Sequence, residues 1–146
     1  MAEAASQPNL NQTIRLHHVG YVVRSIKEVA DRFAQSVAAS WDQKIFQDPL
    51  QDAKVAFLAG IIQEFPLVEL VEPVSEGSPV ANFLKRGGGL HHLCYEVESL
   101  DKQLEFSRTI GGKIVRPPLP AVAFDGRRIA WVYTKDRLLL EYLDRH

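Results

Sequence analysis

The chain of 146 residues is 46% hydrophobic and 24% charged with a formal net charge of −1, enough material for one core and no basic field for nucleic acid. Its single cysteine, Cys94, excludes an internal disulfide framework, and the small polar residues 1–13 lack the apolar centre of a secretion signal. No apolar run has the length of a membrane span, so the sequence predicts a cytoplasmic protein with no nucleic-acid or membrane partner.

Residues 1–13 hold nothing that would repay the entropy of ordering and read as a disordered leader. A strand rich in β-branched and aromatic residues is predicted over 14–23. Ser25 opens a helix, with Glu28 three residues on completing a capping box. Ile26, Val29, Ala30, Phe33 and Val37 give that helix one apolar face through about Ala38. Strands are predicted over 41–46 and 53–62, with a turn at Asp48 and Pro49, and over 67–71, bracketed by Pro66 and Pro73. Ser78 and Pro79 start a short helix over 80–86, closed by Gly87, Gly88 and Gly89. A phosphate-cradling glycine run leaves a strand and enters a helix; here the order is reversed, so it reads as a cap and a link between two halves.

The second half replays the first. A strand over 90–97 leads to Ser99 as helix cap, with Leu100, Leu104 and Ile110 on the apolar stripe and Gly111 and Gly112 closing the helix. Strands follow over 113–116, 127–133 and 137–143, the last two joined by a tight turn around Lys135 and Asp136. Residues 117–126, stiffened by Pro117, Pro118 and Pro120, read as an apolar loop that forms a lid or pocket wall.

The repeat is clearest where the chemistry lies. Leu16-His17-His18-Val19-Gly20-Tyr21 is echoed by Leu90-His91-His92-Leu93-Cys94-Tyr95, and each copy is followed at nearly the same distance by a glutamate among aliphatics, Glu69 or Glu141. The fold class is therefore α+β, built from tandem βαβββ modules over about 14–87 and 88–146 that make one domain over 14–146. Strand alternation gives the second His of each pair a small neighbour two residues on, Gly20 or Cys94, and turns His17 and His91 toward the bulkier, helix-covered face. Glu69 and Glu141 have no Lys or Arg within the aliphatic runs that hold them, and an unpaired carboxylate among aliphatics is costly. Two imidazoles and two carboxylates on inward faces form a donor set for a divalent transition metal. Singly, each residue reads as a core histidine or a surface glutamate; repeated in register, the four favour a metal. Cys94 reads as a small core or pocket residue, and Arg127 and Arg128 as solvated groups or as steering an anionic substrate.

Paired βαβββ modules with His near the start and Glu on a late strand resemble the vicinal oxygen chelate superfamily, also known as the glyoxalase/bleomycin-resistance/dioxygenase superfamily. More narrowly, Glu69-Leu70-Val71-Glu72-Pro73, Ser78-Pro79-Val80-Ala81-Asn82-Phe83-Leu84 and Gly89-Leu90-His91-His92 are similar to the methylmalonyl-CoA epimerases, over residues 14–143. The resemblance implies two curved sheets around a cleft, and one divalent metal ion (cobalt, nickel, manganese or zinc) held by His18, Glu69, His92 and Glu141. It further implies proton transfer through a metal-chelated enolate at the carbon beside a thioester carbonyl, with Glu141 and Glu69 as catalytic carboxylates. The expected substrate is then an acyl-CoA or other thioester, and a homodimer is the assembly such scaffolds suggest. A glyoxalase I-like lyase uses the same ligands, and a non-catalytic small-molecule-binding protein would use the scaffold without metal. An extradiol dioxygenase fits less well, because Glu69 fills the position that chemistry leaves open. Val55 stands where some epimerases carry a base glutamate. Tyr133-Thr134-Lys135 and residues 118–124 also depart from the family pattern, at the rim where substrate recognition is expected.

Overall fold

The computed structural model describes residues 12–146, so residues 1–11 of the predicted leader lie outside the described residues. Gln12 lies against the third helix: its side chain accepts from Ser99 N (2.8 Å) and donates to Gln103 Oε1 (2.9 Å). The elements are β1 (Ile14–Val22), α1 (Ile26–Ser36), β2 (Ala39–Trp41), β3 (Phe46–Asp48), β4 (Ala53–Gly60), β5 (Leu67–Pro73), α2 (Ala81–Lys85), β6 (Gly89–Val97), α3 (Leu100–Thr109), β7 (Lys113–Pro120), a 3-10 turn (Val122–Phe124), β8 (Arg128–Tyr133) and β9 (Leu139–Asp144).

Each long helix begins as the sequence predicts and covers its own half of the sheet. Ser25 accepts from Glu28 N, and Ile26 N donates to Glu72 Oε1 at 2.8 Å, which fixes the start of α1 to β5. Ile26, Ala30 and Ala34 then pack on Ala56, Leu58 and Leu70. In the second half Ser99 caps α3, and Leu100 and Leu104 pack on Val97, Ala130, Val132 and Tyr142. No helix among the described residues is long and apolar enough to cross a membrane.

The strands form one sheet in the order β2-β4-β5-β1-β6-β9-β8-β7, with β3 also paired to β4. β1 runs parallel to β5 and β6 parallel to β9, whereas β1 and β6 meet antiparallel. The two halves are thus arranged as mirror sequences of strands about the β1–β6 seam. The far ends of the sheet come back together: Val122 N donates to Asp48 Oδ2 (3.4 Å) and Arg116 Nη2 to Leu50 O (3.4 Å). These contacts join the β7 side to the β3–β4 turn and close the curved sheet around a cavity.

Two expectations about strands are corrected. The strand predicted over 41–46 is split into β2 and β3, both on the outer edge of β4. Between them Asp42 accepts from Lys44 N (2.9 Å) and Gln43 takes φ 69°, a local turn that competes with the ladder. Asp48 accordingly ends β3, and the turn begins after it. Residues 117–120, predicted as loop, belong to β7. It is an edge strand with register shifts between Ile114 and Arg116 and between Arg116 and Leu119, and prolines are tolerated at such irregular edges because no ladder N–H is demanded there. Arg127 and Arg128 are committed to ion pairs, Arg127 with Glu96 (3.2 Å) and Arg128 with Asp144 (3.1 Å) and Asp101 (3.3 Å), rather than left to steer a substrate.

Candidate metal centre

The β1–β6 seam brings together side chains 74 residues apart: His18 Nε2 and His92 Nε2 lie 3.2 Å from each other. The parallel neighbours add the carboxylates, Glu69 opposite Gly20 and Glu141 opposite Cys94. Glu69 Oε1 is 3.4 Å from His18 Nε2 and 3.2 Å from His92 Nε2. Glu141 Oε1 is 3.0 Å and 3.5 Å from the same two atoms. All four side chains are buried, and their donor atoms lie within 4.8 Å of one another.

This donor set fits a first-row divalent ion. Nitrogen and carboxylate ligands bind such ions at about 2.0–2.2 Å, which places adjacent donors about 3.3 Å apart around a tetrahedral centre. Glu141 Oε1 is buried and meets the two imidazoles without a well-aligned hydrogen bond, a position that a cation would satisfy. Burial opposes charge on His18 and His92, yet both imidazoles are pushed up, His18 strongly. Cys94 also faces His18, but its thiol is itself driven far up by burial and stays neutral, so the carboxylates carry the effect. Glu69 is held far below the usual carboxylate range, against its own burial, chiefly by His18. The centre therefore stabilises positive charge, whether as protons on the imidazoles or as a metal cation.

His17 and His91 are not on the helix-covered face. The β1–β6 ladder shifts register between Leu16 and His18, and again where Gly20 pairs with His92 and Tyr21 with Leu90. Each bulge inserts the first His of a pair. A bulge re-aims side chains, and here it turns both imidazoles of each pair to the same side. His17 Nδ1 is 2.9 Å from His18 Nδ1, and His91 Nδ1 is 2.9 Å from His92 Nδ1. Burial, helped by the adjacent His, lowers His17 and His91 to about 4, so both are neutral at physiological pH. A ligand His that presents Nε2 to a metal carries its proton on Nδ1, and the neighbouring imidazole then accepts it. The doubled His-His dipeptide was the available signal; the bulges, which depend on pairing with the other half, were not.

The small neighbours also act across the seam. Gly20 pairs with His92, and Cys94 with His18. Each half therefore supplies the space beside the other half's imidazole, not beside its own. Around the four donors the sheet encloses a cavity of about 410 Å³. Its wall is largely apolar, with Val55, Val71, Ile129, Phe124 and Trp131 among the lining residues. Val55, on β4, brings no carboxylate to it. The predicted pocket wall is present in part: Ala121, Ala123 and Phe124 line the cavity, and Phe124 packs on His17, His18 and Phe57.

The model of the glyoxalase/bleomycin resistance protein/dioxygenase superfamily matches residues 17–131. The chain belongs to this superfamily. Within it, an ethylmalonyl-CoA/methylmalonyl-CoA epimerase of Cereibacter sphaeroides is 28% identical over 124 residues, covering 84% of this chain and 90% of that protein. The structure of a methylmalonyl-CoA epimerase from Mycobacterium tuberculosis superposes with a TM-score of 0.77 at 25% identity, over 90% of this chain and 87% of that one. A hypothetical protein of Bacillus halodurans superposes at 0.78 with 29% identity, over 92% and 96%. The superfamily fold agrees with the expected α+β class and with its repeated modules, and the resemblance to epimerases is shared by sequence and structure.

Proposed function

We propose that the chain is a divalent-metal-dependent epimerase acting at the carbon beside a thioester carbonyl, with His18, Glu69, His92 and Glu141 as ligands. The observation that carries this reading is the convergence of these four buried donors, 3.0 to 3.5 Å apart along the contacts of each His with the other donors, with Glu69, His92 and Glu141 in the wall of an apolar cavity. The epimerase names of relatives that align over most of the chain support the reaction class. A bound divalent cation would supply Lewis acidity to neighbouring carbonyl oxygens and so lower the pKa of the adjacent C–H.

The chain's own carboxylates would then move the proton. Glu69 and Glu141 come from β5 and β9, on opposite sides of the β1–β6 seam. In each direction one carboxylate would be ionised and take the α-proton, while the other, having first taken a proton from solvent, would return it to the opposite face of the carbon and be left ionised, so that the two exchange protonation states in a turnover. Glu141 is assigned the removal, because its Oε1 meets the two imidazoles without a well-aligned hydrogen bond. Asp48 also lines the cavity, but its carboxylate is held by the amides of Leu50 (3.0 Å) and Val122 (3.4 Å). The apolar wall excludes water that would otherwise solvate the carboxylates and weaken them as bases.

The direct test is deuterium uptake. Metal-loaded protein incubated in D2O with a 2-substituted malonyl-CoA is expected to place deuterium at C2 and interconvert the epimers, and Glu141→Gln to slow both by at least about 100-fold. No exchange with any acyl-CoA, at full metal loading, would refute the assignment. His17 and His91 bear on the same site. His17→Ala and His91→Ala are each expected to weaken metal binding by about 10–100-fold, the usual consequence of removing a hydrogen-bond partner from a ligand His, as read by competition with a fluorescent chelator. Unchanged affinity in both would remove their role.

A further inference from the structure

Along the cavity wall, Glu141 of β9 pairs in register with Trp131 of β8, and Trp131 with Arg116 of β7. The three residues form one row across adjacent strands, and all three line the cavity. Strands lie about 4.8 Å apart, so the Arg116 backbone is about 10 Å from that of Glu141. Two donors in this row have no partner: Arg116 Nη1 and Trp131 Nε1, both buried. Arg116 is the one Lys or Arg among the described residues that line the cavity. Arg15, Arg127, Arg128 and Arg145 each meet a carboxylate, whereas the contact recorded for Arg116 is Nη2 to the Leu50 carbonyl at 3.4 Å. That contact fixes the guanidinium at the closure of the sheet and leaves its charge unneutralised. The nearby acid of the wall, Asp48, is occupied by backbone amides.

We infer that Arg116, assisted by the Trp131 indole N–H, is an anion subsite that receives an anionic group of the substrate at a distance from the four-donor centre. The inference rests on the proposed reaction only for the identity of the substrate. A planar guanidinium takes carboxylate or phosphate oxygens by two parallel hydrogen bonds, and in a cavity with apolar walls such bonds are strengthened. The anion is either a carboxylate of the acyl group or a phosphate of the carrier. Between it and the centre, the Trp131 ring offers an apolar surface for the intervening atoms. A substrate with chelating oxygens at one end and a second anion beyond is what this row accommodates.

Calorimetric binding separates the possibilities without turnover. Four probes are compared on the metal-loaded wild type, Arg116→Gln and Trp131→Phe: malonyl-CoA, propionyl-CoA, and the same two acyl groups on pantetheine, which lacks the phosphates. Arg116→Gln is expected to weaken anion-bearing probes by about 10–100-fold, the loss of a charge-assisted pair, and to leave propionyl-pantetheine unchanged. Trp131→Phe, which keeps the ring and removes the donor, is expected to act in the same direction and less strongly. A loss confined to malonyl probes on both carriers identifies the acyl carboxylate; a loss confined to the CoA forms identifies a phosphate. Equal loss for propionyl-pantetheine, or no loss for any probe, overturns the subsite. Discriminating binding without α-carbon exchange in the wild type would leave the subsite standing and reject the reaction; exchange without discrimination would do the reverse.

Discussion

Glu141→Ala and His92→Ala are expected to lose bound divalent metal and all α-carbon exchange while keeping a folded chain. Either change leaves three of the four donors, and an ion held by the smaller set is expected to dissociate on dialysis. Elemental analysis after dialysis should fall from about one metal per chain to background, and affinity should drop by at least about 100-fold, more than for loss of an outer hydrogen bond. The apo fold should survive Glu141→Ala with a lowered thermal midpoint. Truncation takes away a carboxylate 3.0 Å from His18 Nε2 and costs part of the stability of that buried pair, but the imidazoles can shed their protons and the strands that pair around them are untouched. Far-UV circular dichroism should therefore be unchanged. Stoichiometric metal retained by both variants would remove the central claim about these residues.

Gly20→Ala is expected to damage the same site from a residue that donates nothing to it. A Cβ at position 20 would clash with the His92 imidazole edge, 2.6 Å from Nε2 and 2.5 Å from Nδ1. His92 is buried and wedged against Trp131, with ring centroids 4.6 Å apart, so it has little room to retreat. Overpacking of this kind costs about 1–3 kcal/mol, visible as a lowered thermal midpoint, and the displaced Nε2 should cost metal affinity besides. Cys94→Ala is the control, because it enlarges the matching space beside His18 instead of filling it, and should keep the metal. Equal metal affinity in Gly20→Ala and wild type would show that His92 has another place to sit.

The duplication made much of this architecture legible. Ser25 and Ser99 marked both helix starts, and the echo of His18 and His92, Glu69 and Glu141, named residues that the structure brings into one cluster. Local sequence was a weaker guide where neighbours decide. Asp42 and Gln43 break a run that reads as continuous strand, and Pro117, Pro118 and Pro120 read as loop although an irregular edge strand accepts them. The placement of His17 and His91 failed for a related reason. Strict alternation holds within a regular strand, but a bulge is a property of two paired strands, and β1 meets β6 only through the fold. Arg116 was invisible for the same cause: nothing within β7 says that Trp131 and Glu141 stand beside it.

The reciprocal placement of Gly20 beside His92 and Cys94 beside His18 has a consequence for how the chain folds. Within each half, the parallel pairing of β1 with β5 or β6 with β9 joins one His strand to one Glu strand, and neither half alone has the second ligand imidazole or the space beside its own. The complete cluster exists only after the β1–β6 seam has closed, and closing it spans 74 residues between His18 and His92. Such long-range pairing carries a large loop-closure entropy and belongs to the slow events of folding. A partly folded chain with one half formed thus has no four-donor site. Acquisition of high-affinity binding during refolding would report the joining of the halves, not the formation of either.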